Sequence, residues 1–158
     1  MARLLVRLAF AGALAVTVTI PPITIPIVTP AQGASDPGPG DQSPYLTNAR
    51  ALIKAKKYDA ALADLKVVVV AHQNADVYTL LGHAYWKTGD RANGMLYYNK
   101  ALELMPTHRG ALEYQGELYV AMGQMDKARG NLAKLKTICP FGCEELSDLS
   151  EAIEHAPK

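Results

Sequence analysis

Both cysteines of the chain fall within five residues, in Cys139-Pro140-Phe141-Gly142-Cys143, and thiols at that spacing have the most capacity for chemistry of any residues here. In an oxidising compartment the first reading is a disulfide that closes the turn. Closing so small a loop contributes about 2 kcal/mol at most through chain entropy. A redox-active pair and half of a metal site compete with it. Cys-x-x-x-Cys is not the Cys-x-x-Cys of thioredoxin-like redox sites. A metal would need two further ligands, and only His155 or a carboxylate such as Glu144 is near in sequence. The four histidines, His72, His83, His108 and His155, show no His-x-x-x-His spacing, which argues against a metal held by them. No serine sits in a nucleophile elbow, and no glycine-rich phosphate loop is present. The expectation is a non-enzymatic protein with no catalytic residue, no cofactor and no metal. Its rival is a redox or metal-handling accessory protein in which Cys139 and Cys143 act and the rest presents them. Thiol titration with and without reductant separates the two.

The elements that hold this turn are helices. Tyr78, Leu81, Gly82 and Tyr85 lie three or four apart, which puts large apolar groups and one small residue on one helical face. A turn follows at Gly89-Asp90, with Asp90 as a candidate cap. Gly94, Tyr98 and Ala101 resume helical spacing, and Pro106 ends the segment because it lacks the amide a helix needs. This is a helical hairpin in which Gly82 and Gly94 face each other and let the two axes approach. Shifting it by 34 residues carries Gly82 onto Gly116, Tyr85 onto Tyr119, Gly89 onto Gly123 and Pro106 onto Pro140. Leu112, Ala128 and Leu132 replace Tyr78, Gly94 and Tyr98. An upstream copy keeps Tyr45, Ala49, Leu52, Tyr58, Ala61 and Leu65, but Lys56 stands where the turn glycine should be and the closing proline is missing.

Helices are predicted at about 58–71, 75–88, 91–105, 109–122 and 125–138, preceded by one that starts at Pro44 with Ser43 as its cap. Val67 to Val70 would read as a buried strand alone, but the helical run from Asp59 to Lys66 overrides that propensity. A last amphipathic segment from Glu144 to about His155 has Leu146, Leu149 and Ile153 on one face. It is too short and polar for another copy and suits a cap over the end of the stack.

With these residues in place the chain resembles the tetratricopeptide repeat family, a 34-residue helix-turn-helix with large, Leu, Gly and Tyr positions on its first helix and small and aromatic positions on its second. The resemblance covers residues 42–140. It implies an all-α fold, a right-handed α-solenoid of about three helix-turn-helix repeats, with residues 141–158 forming the cysteine turn and capping helix. It further implies that first helices line a concave face that commonly holds an extended peptide or a partner helix. Counting from Gln42, Ala75 and Arg109, the groove places fall on Leu46, Arg50, Ile53 and Lys54, then Thr79, His83, Trp86 and Lys87, then Glu113, Glu117 and Val120. Arg50, Lys54 and Lys87 make one end basic, and Glu113 with Glu117 make the other acidic. Most charged helical residues are merely solvated, which is the alternative for these. Trp86, the chain's one tryptophan, follows the packing Tyr85, so its ring is expected toward the concave face; the alternative is packing near Ile53 or Leu46. The lysine and asparagine set with which some relatives clamp a terminal carboxylate is absent, so that ligand is not implied.

Ahead of the helices, Arg3 and Arg7 flank an apolar run from Leu8 to Ile20, and Ala31-Gln32-Gly33-Ala34 offers small residues for cleavage. This is the pattern of a secretory signal peptide at residues 1–33. A membrane anchor is the alternative, but Pro21, Pro22 and Pro26 cut the apolar stretch below the roughly 20 residues a span requires. Residues 34–43 read as a disordered linker, with prolines and glycines and no large apolar side chain. Of the 16 basic and 15 acidic side chains, cleavage removes only Arg3 and Arg7. The near-neutral remainder lacks the basic stripe that neutralises phosphates, so no nucleic acid is expected as partner. The expected protein is exported, periplasmic if bacterial, without stable membrane insertion after cleavage, and an adaptor for a protein or peptide. Stacking of repeats between chains is a further possibility that a sizing measurement decides.

Overall fold

The computed structural model describes residues 43–157, and every regular element among them is helical. A turn of 3-10 helix at Pro44–Leu46 leads into α1 (Thr47–Lys54). There follow α2 (Tyr58–Ala71), α3 (Ala75–Lys87), α4 (Arg91–Leu104), α5 (Arg109–Ala121), α6 (Met125–Ile138) and α7 (Glu144–Glu154). The observed bounds lie within about a residue of the expected ones from α2 onward. At the start the chain departs from expectation, since Pro44 opens a 3-10 turn rather than α1. Ser43 serves that turn through its carbonyl, which accepts from the Leu46 amide at 2.8 Å, and not through its side chain. The expected signal segment and linker lie outside the described residues, apart from Ser43.

The helices pack as pairs, α1 with α2, α3 with α4 and α5 with α6, and each pair leans on the next. Tight turns join the members of a pair, and each turn needs one residue in the left-handed region. Gly89 (φ 95°) and Gly123 (φ 70°) supply it in the second and third pairs. Lys56 takes the same conformation at φ 57° in the first, so the missing glycine changes the energy of that turn and not its shape. Caps fix where helices begin. Asp90 Oδ1 accepts from the Asn93 amide at 3.0 Å, and Asn74 Oδ1 accepts from the Val77 amide at 3.0 Å.

Burial follows the helical period. Leu46, Ala49, Leu65, Val77, Leu81 and Ala84 form the core of the first three helices, and Leu112, Leu135 and Leu149 that of the last three. Val67 and Val70 are helical, as expected, but face outward and are exposed.

Glycine sets the closest approach. A Cβ built on Gly82 would stand 2.6 Å from the ring of Tyr98 and 3.1 Å from the carbonyl oxygen of Gly94, so α3 and α4 meet as the sequence predicts. The third pair differs. A Cβ on Gly116 would stand 2.6 Å from Leu149, a residue of α7, and Leu132 of its own pair is not what fills the gap. Helix α7 packs against both α5 and α6, and Leu149 is fully buried there. It acts as the end cap, inserting its leucine into the notch that Gly116 leaves.

Candidate functional site

The groove positions lie on α1, α3 and α5, and the structure treats them unequally. Leu46 is core and Ile53 packs against the same cluster. Thr79 is buried and donates its hydroxyl to the Ala75 carbonyl oxygen at 2.7 Å, so it has little to offer a partner. Lys54 and Lys87 are exposed, while Trp86, Glu117 and Val120 are half-buried.

Arg50 is bound into the scaffold. Its Nη2 stands 3.5 Å from Asp76 Oδ1, in the first turn of α3. The same Asp76 oxygen lies 3.3 Å from His108 Nε2. His108 caps α5, with Nδ1 accepting from the Ala111 amide at 3.0 Å, which leaves Nε2 as the ring's donor toward Asp76. One carboxylate thus joins the first helices of all three pairs, a link that residue spacing did not reveal because Asp76 and His108 each look like ordinary helix starts. Arg50 retains Nε and Nη2 as buried donors without a hydrogen bond. A second unforeseen chain runs through the later helices, where Gln115 Nε2 donates to Asn99 Oδ1 at 2.7 Å. Asn131 Nδ2 in turn donates to Gln115 Oε1 at 3.0 Å.

His83, a groove position by count, is buried. Its ring lies 4.4 Å from that of Tyr114 and 6.1 Å from that of Tyr58, and meets Trp86 edge-on at 6.2 Å. Burial, and then the nearby Lys87 charge, lower its pKa to about 4, so the imidazole is neutral at physiological pH. Trp86 sits at the rim of this aromatic nest. Its Cβ backs onto Gly94 of α4, 3.2 Å from where a Cβ there would stand. The Lys87 ammonium lies over its ring, 3.9 Å from the centroid. Trp86 therefore has its stem on the α3–α4 seam and its ring beneath the Lys87 ammonium.

Glu113 departs furthest from the picture of a solvated acidic face. It is only 7% exposed. Burial, followed by the fields of Glu117, Asp148, Glu145 and Glu144, raises its pKa to about 9. Burial likewise raises Glu117, opposed by Lys87 and reinforced by Asp148. Three of these neighbours, Glu144, Glu145 and Asp148, belong to α7, which the sequence marked as a cap and not as part of the groove. Glu145 Oε1 stands 3.7 Å from Arg109 Nε.

The sulfurs of Cys139 and Cys143 are disulfide-bonded, with Cα atoms 5.9 Å apart. Gly142 (φ 93°) closes the turn and donates its amide to the Cys139 carbonyl oxygen at 2.9 Å. Phe141 stands wholly exposed at the tip. Among the described residues no group of three or more His, Cys, Asp or Glu side chains is arranged to hold a metal ion. No helix among them is long and apolar enough to cross a membrane.

Residues 75–108, the second pair, match the family model of the tetratricopeptide repeat. No curated protein matches the chain. Solved structures do. The second TPR domain of the human RPAP3 protein, in complex with the HSP70 peptide SGPTIEEVD, aligns with a TM-score of 0.59 at 17% identity, over 68% of this chain and 91% of that one. The first TPR of Spaghetti (RPAP3), bound to the HSP90 peptide SRMEEVD, aligns at 0.59 and 20% identity, over 70% and 90%. The first TPR domain of the human RPAP3 protein aligns at 0.60 and 20%, over the same 70% and 90%. At such identities the likeness is one of fold. The tetratricopeptide match at residues 75–108 and the arrangement of the helices around it agree, and the described chain has the all-helical, paired fold of TPR domains.

Proposed function

We propose that the protein is a non-enzymatic adaptor that holds an extended segment of a protein partner along the face built from α1, α3 and α5. One observation carries this reading. Trp86 stands half-buried at the rim of the Tyr58–His83–Tyr114 nest with the Lys87 ammonium on its ring, a combination of aromatic and cationic surface that concentrates binding energy at interfaces. Two of the similar structures hold peptides, which supports the use of this fold as a peptide holder. Their particular peptides are not carried over, because the lysine and asparagine clamp for a terminal carboxylate is absent from the groove positions.

Trp86→Ala tests the reading. Affinity for a peptide selected on the chain is expected to fall about 30-fold or more, the equivalent of about 2 kcal/mol, while the melting temperature stays within a few degrees of the parent. Loss of stability with binding retained would end the proposal, since truncating a core aromatic costs about 3–5 kcal/mol.

The adaptor is proposed to work outside the cytoplasm, in the periplasm if the source is bacterial. The Arg3 and Arg7 flank, the apolar run and the Ala31–Ala34 small-residue site support this, as does a cysteine pair that an oxidising compartment would keep joined. Intact-mass measurement of the protein from its native source is expected to show residues 1 to about 33 missing. A mass that retains them points to a membrane anchor instead.

A further inference from the structure

The carboxylates around Glu113 come from two helices. Glu113 and Glu117 project from α5, and Glu144, Glu145 and Asp148 from the first turns of α7, close enough for the other four to act on Glu113. Arg109 stands beside Glu145 Oε1, and Lys87 acts on Glu117 from the basic side. These two cations leave the cluster with excess negative charge. Burial makes the imbalance costly at Glu145, which is 6% exposed. Glu145 Oε2 is buried with no hydrogen-bond donor. Independently, the hydroxyl of Tyr98, on α4, is buried without a partner and lies within the fields of Tyr114, Glu117 and Glu113. Tyr98 itself is 0% exposed. A folded chain seldom leaves such groups unmatched. Glu145 Oε2 lacks a donor, and the Tyr98 hydroxyl lacks a partner of either kind.

We infer that the end of the groove between α5 and α7 is a pocket for one lysine or arginine side chain of the bound partner, received by Glu113 and Glu117 on one side and by Asp148 and Glu144 on the other. The inference rests on the groove reading proposed above and adds its polarity. The partner lies with a basic residue toward α7 and with acidic or neutral residues toward Lys54 and Lys87. Helix α7 then has two roles, since its buried Leu149 closes the stack while its acidic first turns complete the pocket. A cation also relieves the repulsion among the carboxylates, an interaction stronger at this half-buried site than on an open surface.

A random dodecapeptide library selected on the full chain supplies the probe, with the tryptophan fluorescence of Trp86 reporting occupancy. Glu117→Gln combined with Asp148→Asn is the variant of choice, since Glu117 is half-buried and Asp148 exposed, and circular dichroism checks its fold. Selected peptides are expected to share a basic residue at a fixed position. Changing that residue to glutamine should weaken binding at least tenfold on the parent and less than twofold on the double variant. Peptides without a fixed basic residue, or an equal loss on both proteins, overturn the inference while leaving the groove in place, provided Trp86 still responds. Failure to select any peptide, or binding to which Trp86 is indifferent, overturns the groove reading and the inference with it.

Discussion

Replacing Gly82 with leucine is expected to unfold the second helix pair and with it the cooperative stack. The reason is geometric. Even a methyl group at this position would stand 2.6 Å from two carbons of the Tyr98 ring, and Tyr98 is completely buried. The Gly94 carbonyl oxygen, 3.1 Å from the same point, crowds the position further. Overpacking in a well-filled core typically costs about 1–3 kcal/mol and more where the neighbours cannot move. Gly82→Ala should lie within that range, and Gly82→Leu beyond it. Gly130, on α6, is the control. A Cβ there meets nothing within 4 Å, so Gly130→Ala should stabilise by about 0.5–1 kcal/mol through the lower backbone entropy of its unfolded state. Urea denaturation of the three variants checks the set. A Gly82→Leu protein that melts with the parent would mean that α3 and α4 do not approach as described.

The second large effect is the removal of the ionisable Glu113 carboxyl, with Glu113→Gln expected to be more stable than the parent above neutral pH. Burial first, and then the neighbouring carboxylates, raise this group from 4.5 to about 9. Below about pH 4.5 both folded and unfolded chains carry its proton, so it has no influence. Between there and about pH 9 the folded chain keeps a proton that the unfolded chain has released, and stability falls as pH rises. At pH 7 the accumulated cost is on the order of 3 kcal/mol. Glutamine preserves the shape without the linkage. The stability gap between variant and parent should therefore be small near pH 4.5, widen toward pH 8 and level off above about pH 9. Glu117, also raised by burial, adds to the downward slope in both proteins. His83 acts oppositely. Held neutral down to about pH 4, it makes the parent gain stability as pH rises from there toward its ordinary 6.5. Denaturant midpoints at pH 5 and pH 8 read the result, and a gap that does not grow with pH would place Glu113 in water.

The cost has a functional side. A ligand that binds only the folded chain offsets such a cost, and the pocket proposed between α5 and α7 would do so. Nε of Arg50 and Nδ1 of His83 are likewise buried without a hydrogen bond, at groove positions and not in the apolar core.

Residue periodicity alone determined the helices, their pairing and the glycine contact between α3 and α4, because these depend on near neighbours in sequence. Spacing of three and four puts Leu81, Gly82 and Tyr85 on one face wherever the helix goes, and the proline and Gly-Asp signals stop and start helices through local backbone geometry. The left-handed turn residue at 56 was also legible, since its place follows from the copies downstream even though lysine occupies it. Charge state and exposure were not legible in this way. Thr79, His83 and Glu113 occupy groove positions by count, yet each is buried. Burial of His83 depends on Tyr58 and Tyr114, which arrive from the helix pairs on either side. That of Glu113 depends on α5 and α7 coming together, and α7 falls outside the repeat pattern. Gly116 makes the same point. Its residue type announced a close contact, but only the tertiary structure decided that Leu149 of the final helix would fill it, because which helix occupies the next place in the stack is settled by packing between distant segments rather than by spacing within one.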